Sequence, residues 1–281
     1  MNATVSSRVL GRRLRAMRDQ AGLTGSYVAD AMGYSPAKLS RQEHGTHAVA
    51  VHELSHLVVH MYGHGSETLD ELEVLRQRTT IGRGWWREHE GDIPLHLRTY
   101  VELEDEASRI ITFSGDIIPG LLQDPEYIRL QARKFGDKSP SEVEQTIWLR
   151  TKRQERLGHI EFDAVISEGA VRRCIGDGHL GQLDTLLERS TIPGVSVRIL
   201  PCSAGIHGAA SHYVVLTIPG GELDPVLYLE YCGGSFIVEE ERAVSKTIDH
   251  HDSLTAMTPE DSRDFLKRLL AQNRTGNIGV A

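Results

Sequence analysis

Apolar residues recur every three to four positions through the first eighty residues, and in short β-branched or aromatic runs from about 160 onward. That change of period predicts a helical front and a mixed rear. Leu10, Leu14 and Met17 make one stripe on a first helix, which Gly22 ends. Thr24 is placed to cap a second helix whose inward residues are Val28, Ala29 and Met32, and Gly33 follows at a tight turn. Ser35 then caps a third helix, with Pro36 in its first turn and Leu39 facing inward. Val51, Leu54, Leu57, Val58 and Met61 form the buried face of a fourth helix, and SETLDELEVLRQR (66–78) reads as a short connecting helix.

Beyond a TTIGRG loop at 79–84 come adjacent tryptophans, Trp85 and Trp86, which cannot share one helix face. A helix is expected near 95–113, with Tyr100, Leu103, Ala107, Ile110 and Ile111 as its stripe. Pro119-Gly120 forces a turn before the apolar pair Leu121-Leu122, and Asp124-Pro125 can open the next helix. Residues 141–157 read as a long helix carrying Arg150, Lys152, Arg153 and Arg156, which form either a solvated face or an anion- or partner-binding one. FDAVIS (162–167), VSVRIL (195–200), YVVLTI (213–218), VLYLEY (226–231) and SFIVE (235–239) read as strands. Helices near 168–175 and 178–190 separate the first two, and two more near 240–253 and 258–273 close the chain.

The expected fold is a mainly α helix-turn-helix domain over 1–64, a connector helix and loop over 65–84, an α+β domain over 85–273 and a flexible tail over 274–281. With 281 residues, 40% hydrophobic and 25% charged, the chain is of ordinary globular composition. No apolar run approaches a membrane span and no basic-then-apolar leader opens it, so a cytoplasmic protein without a membrane partner is expected. Cys174, Cys202 and Cys232 are odd in number and form no CxxC pair, as reduced thiols would.

Charge sharpens the picture. The whole chain carries −8, yet residues 1–64 hold seven Lys/Arg against four Asp/Glu and are net positive. A mildly basic module on an acidic body presents one end to a polyanion. The two helices joined at Gly33 have the order and spacing of a helix-turn-helix that lays its second helix in the major groove of DNA. Weak basicity favours two copies on a two-fold site, hence a homodimer. Residues 8–63 resemble the phage-repressor-like (XRE) family. Its recognition helix is matched by SPAKLSRQEHG and the end of that helix by Glu43-x-Gly45.

The resemblance implies an ion pair between Arg18 and Glu43. It also implies base contacts from Pro36, Ala37 and Arg41, and Lys38 and Ser40 nearer phosphates. Arg41 alone among these can donate two hydrogen bonds to a guanine edge. The family's usual Gln is replaced by Gly25, so its contact is lost or passes to Ser26, and Ser35 completes the expected DNA-facing set.

Histidines 52, 56, 60 and 64 recur every four residues. His52, His56 and His60 are weak metal candidates, the plainer reading being a solvated face, and no cofactor is expected. Nor does catalysis follow from the sequence. P-loop, GxGxxG, HExxH and GxSxG signatures are missing. A faint phospholipase-D-like look to VSVRILP fails because neither His207 nor His212 is followed by the Lys of a His-x-Lys pair.

The order of later tracts resembles an actinobacterial, WhiJ-like or antitoxin-like regulator family with a large second domain. The carrying residues are Trp85-Trp86, Tyr100 to Ala107, Ile118-Pro119-Gly120-Leu121-Leu122-Gln123 with Tyr127, Arg150 with Arg153-Gln154, Ser167-Glu168, Gln182-Leu183, Val197 to Pro201, and Tyr228 with Glu230. Asp124 and Ile128 depart from its pattern. The resemblance implies a transcription regulator whose second domain binds an effector or a small protein encoded by a neighbouring gene. Trp85, Trp86, Pro119, Gly120, Leu121, Leu122, Gln123, Arg150 and Arg153 would then be the binding residues. A protein that acts mainly by neutralising that partner is the alternative.

Overall fold

The computed structural model describes residues 5–81, 93, 95–135, 139–176, 179–208, 212–218, 225–231 and 234–274. It divides into two compact units, one of residues 1–106 with 218–223 and one of 107–217 with 224–281. Trp85, Trp86, Cys232 and the tail from 275 onward lie outside the described residues.

The first unit is built from α1 (Val5–Gln20), α2 (Gly25–Ala31), α3 (Pro36–Glu43), α4 (Val51–Ser55), α5 (Ser66–Ile81) and α6 (Leu95–Glu106). Between α4 and α5 the coil continues as one wider, π-type stretch, His56–Met61. Thr24 Oγ1 accepts from Tyr27 N at 3.2 Å, and Ser35 Oγ accepts from Lys38 N at 3.2 Å, so both helices of the motif start on side-chain caps. Leu10, Leu14, Met17, Val28, Ala29, Leu39, Leu54, Leu57 and Leu72 are buried in one core. Two glycines let α1 lie directly on the end of α3. A Cβ on Gly11 would sit 2.5 Å from the Glu43 carbonyl oxygen. Gly45 has φ +69°, and a Cβ there would meet the Ser7 carbonyl oxygen at 2.5 Å.

The second unit is α+β. Its sheet runs β3 (Val195–Leu200), β2 (Glu161–Ser167), β1 (Arg109–Ser114), β4 (Tyr213–Thr217), β5 (Val226–Tyr231), β6 (Gly234–Val238) in spatial order. The β1–β2 and β2–β3 pairs are parallel, the remaining three antiparallel. Helices α7 (Pro125–Phe135) and α8 (Pro140–Gln154) form the crossover from β1 to β2, and α9 (Glu168–Gly176) and α10 (Gly181–Arg189) that from β2 to β3. Helices α11 (Glu241–Ser253) and α12 (Pro259–Arg274) follow the sheet.

One expected element changes type. The helix drawn over 95–113 ends at Glu106, and residues 109–114 are the central strand β1. Residues 110–114 are all buried, so the run carries no alternation, and Ile110-Ile111 fits a helix stripe as well as a strand covered on both faces.

Both edges of the sheet are distinct. Along β3, Ile199 N donates to Ser262 Oγ at 2.9 Å and Ile199 O accepts from Met257 N at 2.8 Å, so Met257 and Ser262, at the start of α12, cover that border at Ile199. The β6 border ends the strand order on the other side, next to the stacked rings of Tyr231 and Phe236.

Candidate functional site

On the first unit, Ser26, Tyr27, Ser35, Pro36, Ala37, Ser40 and Arg41 are all exposed, on the first turn of α2 and along α3. The Arg41 side chain makes no hydrogen bond or ion pair with any described residue, so all its donors are available to an outside acceptor. Tyr27, 58% exposed beside Ser26, is a further large exposed side chain that the apolar stripe did not single out. Its signal was an aromatic residue standing next to, not within, the Val28–Ala29–Met32 face.

Arg18 and Glu43 come together as a buried, two-pronged pair. Arg18 Nε donates to Glu43 Oε1 at 2.6 Å and Nη2 to Oε2 at 3.1 Å. Nη1 of the same guanidinium donates to Leu23 O at 2.9 Å and to Asp19 Oδ1 at 2.7 Å. One side chain thus ties α1, the α1–α2 loop and the end of α3 into a single body.

Lys38, expected nearer the phosphates, has its Nζ 2.5 Å from Glu53 Oε1 and 3.7 Å from the centre of the Tyr34 ring. The Lys38 charge is held by the fold, joining α3 to α4. Glu53 also accepts from Ala50 N at 2.9 Å and from Gln42 Nε2 at 3.0 Å. Burial alone would raise the Glu53 pKa, but the Lys38 and Ala50 hydrogen bonds outweigh it and pull it from 4.5 to about 2. A lowered carboxylate stabilises the fold above its unfolded pKa, and that contribution is lost as pH falls. The first unit should therefore lose stability between about pH 4.5 and about pH 2, and Glu53→Gln should flatten that stretch of the pH–stability curve measured by chemical denaturation.

His52, His56 and His60 are exposed, and the His56 and His60 rings lie 5.2 Å apart, tilted at 45°. The π-type turn alters the four-residue spacing on which a histidine stripe depends. Among the described residues no group of three or more His, Cys, Asp or Glu is placed to hold a metal ion.

On the second unit, the Pro119–Asp124 tract is a hub of side-chain hydrogen bonds to backbone. Gln154 Nε2 donates to Gly120 O at 2.9 Å and Gln123 O at 2.8 Å. Arg189 donates to Leu121 O, and Gln182 Nε2 donates to Leu122 O at 2.7 Å. Gln182 Oε1 accepts from Asp124 N at 2.9 Å, while Asp124 Oδ1 caps α7 through Tyr127 N at 2.9 Å. His179 Nε2 lies 2.7 Å from Asp124 Oδ2. Three helices, α7, α8 and α10, are pinned to one turn this way.

Three of the residues expected to bind a partner lie inside this turn. Leu121, Leu122 and Gln123 are buried, with exposures of 3%, 0% and 1%, so their side chains hold the turn and present no contact surface. Arg153 is buried as well, and Gly120 leaves ordinary van der Waals room beside its guanidinium. Arg150 is half-buried, on the α8 face toward α7, where Nη1 donates to Gln123 Oε1 and, at 2.7 Å, to Gln131 Oε1. Burial first, and then the neighbouring Arg153 charge, push its pKa down to about 10.

Sequence reasoning also passed over a charged network between sheet and α11. Arg198 grips Asp163 with Nε at 3.0 Å and Nη2 at 2.6 Å, and the fully buried His251 lies 3.0 Å from Arg198 Nη2 and 3.1 Å from Tyr213 Oη. Burial would raise the Asp163 pKa, but hydrogen bonds from His251 and Arg198 hold it at about 2. A lone Asp in FDAVIS and a lone Arg in VSVRIL were the available signal, since a single charge inside a buried strand demands a partner on a neighbouring one.

Comparison with known families returns two matches. A family described as a helix-turn-helix domain matches residues 9–72. A second, described as a domain of unknown function (DUF5753), matches residues 97–268. No curated protein and no solved structure matches the chain. No helix among the described residues is long and apolar enough to cross a membrane.

Proposed function

Because the chain belongs to the DUF5753 family and carries a helix-turn-helix domain ahead of that region, we propose that it is a sequence-specific transcription regulator of the XRE type. In this reading the second unit binds an effector or a small partner protein encoded nearby, as the WhiJ-like resemblance implies, and the chain has no catalytic task. It acts as a homodimer at the nucleoid, because one weakly basic unit neutralises too few phosphates for tight binding alone.

The observation that carries the reading is the contrast between cations on the same motif. Arg18 and Lys38 are spent on Glu43 and Glu53, whereas Arg41 stands exposed on α3 with no partner among the described residues. Ser26, Ser35, Pro36, Ala37 and Ser40 are exposed on α2 and α3, small enough to let α3 approach base edges. Selection of bound sites from random duplexes tests the proposal. Arg41→Ala should cost about 1–3 kcal/mol on the selected site and relax the base preference at one position. Equal losses on selected and random duplexes would reduce Arg41 to a phosphate contact and remove the basis for sequence reading by α3.

A further inference from the structure

A guanidinium offers two donor edges, and the Nε/Nη2 edge is the one that takes a carboxylate or phosphate with two parallel hydrogen bonds. This chain fills that edge with its own acids at several places. Arg18 gives Nε and Nη2 to Glu43, Arg76 gives them to Glu73 at 2.7 and 2.8 Å, and Arg198 gives them to Asp163.

Arg150 departs from the pattern. Both of its hydrogen bonds leave from Nη1, to the neutral amide oxygens of Gln123 and Gln131. Nε and Nη2 have no acceptor among the described residues, and neither is sealed from solvent. Gln123 is itself buried and anchored, since its Nε2 donates to Ile118 O at 2.7 Å. The two glutamines therefore fix the plane of the guanidinium and leave its two-donor edge open. The nearest charges are Arg153, which adds positive potential, and Glu230 on β5, which opposes it.

We infer that Arg150, oriented by Gln123 and Gln131, is a binding site for an oxyanion, a carboxylate or a phosphate group, carried by the effector of the second unit. The inference deepens the reading of that unit as the ligand-binding half and rests on it. Held charge-to-charge in a half-buried setting, such a group gains more than it would from an exposed lysine.

Isothermal titration and thermal unfolding of the full chain with potassium phosphate and with sodium acetate, at ionic strength held constant with chloride, test the site. A saturable interaction and a saturable rise in Tm are expected with at least one of the two, and the tighter one identifies the group. Arg150→Gln should abolish saturation. Arg150→Lys, which keeps the charge but loses the fork, should weaken it about tenfold. Gln131→Glu, which supplies a carboxylate of the chain to the same guanidinium, should weaken anion binding while leaving the protein folded. General salt effects on stability rise without saturating and survive Arg150→Gln. No saturable response to either anion, or one that persists unchanged in Arg150→Gln and Gln131→Glu, overturns the site. Arg41→Ala is expected to leave the titration unchanged, so failure of DNA reading and failure of this site are separately visible.

Discussion

Glu43→Ala is expected to lower the stability of the first unit by about 3–5 kcal/mol. The side chains of Arg18 and Glu43 are only 10% and 8% exposed, so the substitution strands a guanidinium in a place where water cannot replace the lost carboxylate. Asp19 and the Leu23 carbonyl still hold Nη1, which keeps the loss from being larger. Denaturant unfolding with hydrogen exchange read on α1 and α3 measures it. Replacing both partners with apolar residues, Arg18→Met with Glu43→Leu, should recover most of the loss, because no uncompensated charge remains. A loss below about 1 kcal/mol for Glu43→Ala would class the pair with solvent-exposed bridges. Duplex affinity should fall in step, since the same pair sets where α3 lies relative to α1.

Leu121→Asp carries the second large effect. Leu121 is 3% exposed within a turn whose carbonyls are all engaged, so the variant must bury a carboxylate or dismantle the hub. A loss above about 4 kcal/mol, enough to unfold the second unit, is expected. Near-UV circular dichroism and denaturant titration read it directly. Leu121→Met, similar in volume, should cost under about 1.5 kcal/mol. A stable, folded Leu121→Asp chain would put the side chain back on a surface and restore its role as a contact residue.

The amino-terminal helices were legible because their stripes are narrow and their borders carry strong local chemistry. Thr24, Ser35-Pro36 and Gly33 act within three or four residues of where they stand. The Lys38–Glu53 pair was not legible, for the opposite reason. Glu53 is fifteen residues from Lys38 and on another helix, and no local rule links the two. The same limit explains β1. Its two covers come from distant segments, so burial erased the alternation that would have marked it as a strand.

Within the second unit, the Pro-Gly-Leu-Leu-Gln tract was visible as special, but not why. A run that looks like an adhesive patch in one dimension is here a keystone held by Gln154, Gln182 and Arg189, residues 31 to 68 positions removed. Arg150 drew notice as part of a basic helix. What distinguishes it is the direction of its hydrogen bonds, which exists only once α7 and the turn are packed.

The unequal borders of the sheet set how this chain tolerates trimming. Ser262 and the Met257 amide seal one flank, so a version shortened ahead of Met257 would bare the Ile199 backbone of β3. Such a fragment would have an unsatisfied rim able to recruit strands from other molecules, the geometry from which fibrous precipitates grow. The segment from Met257 through the last helix thus protects solubility as well as completing the core.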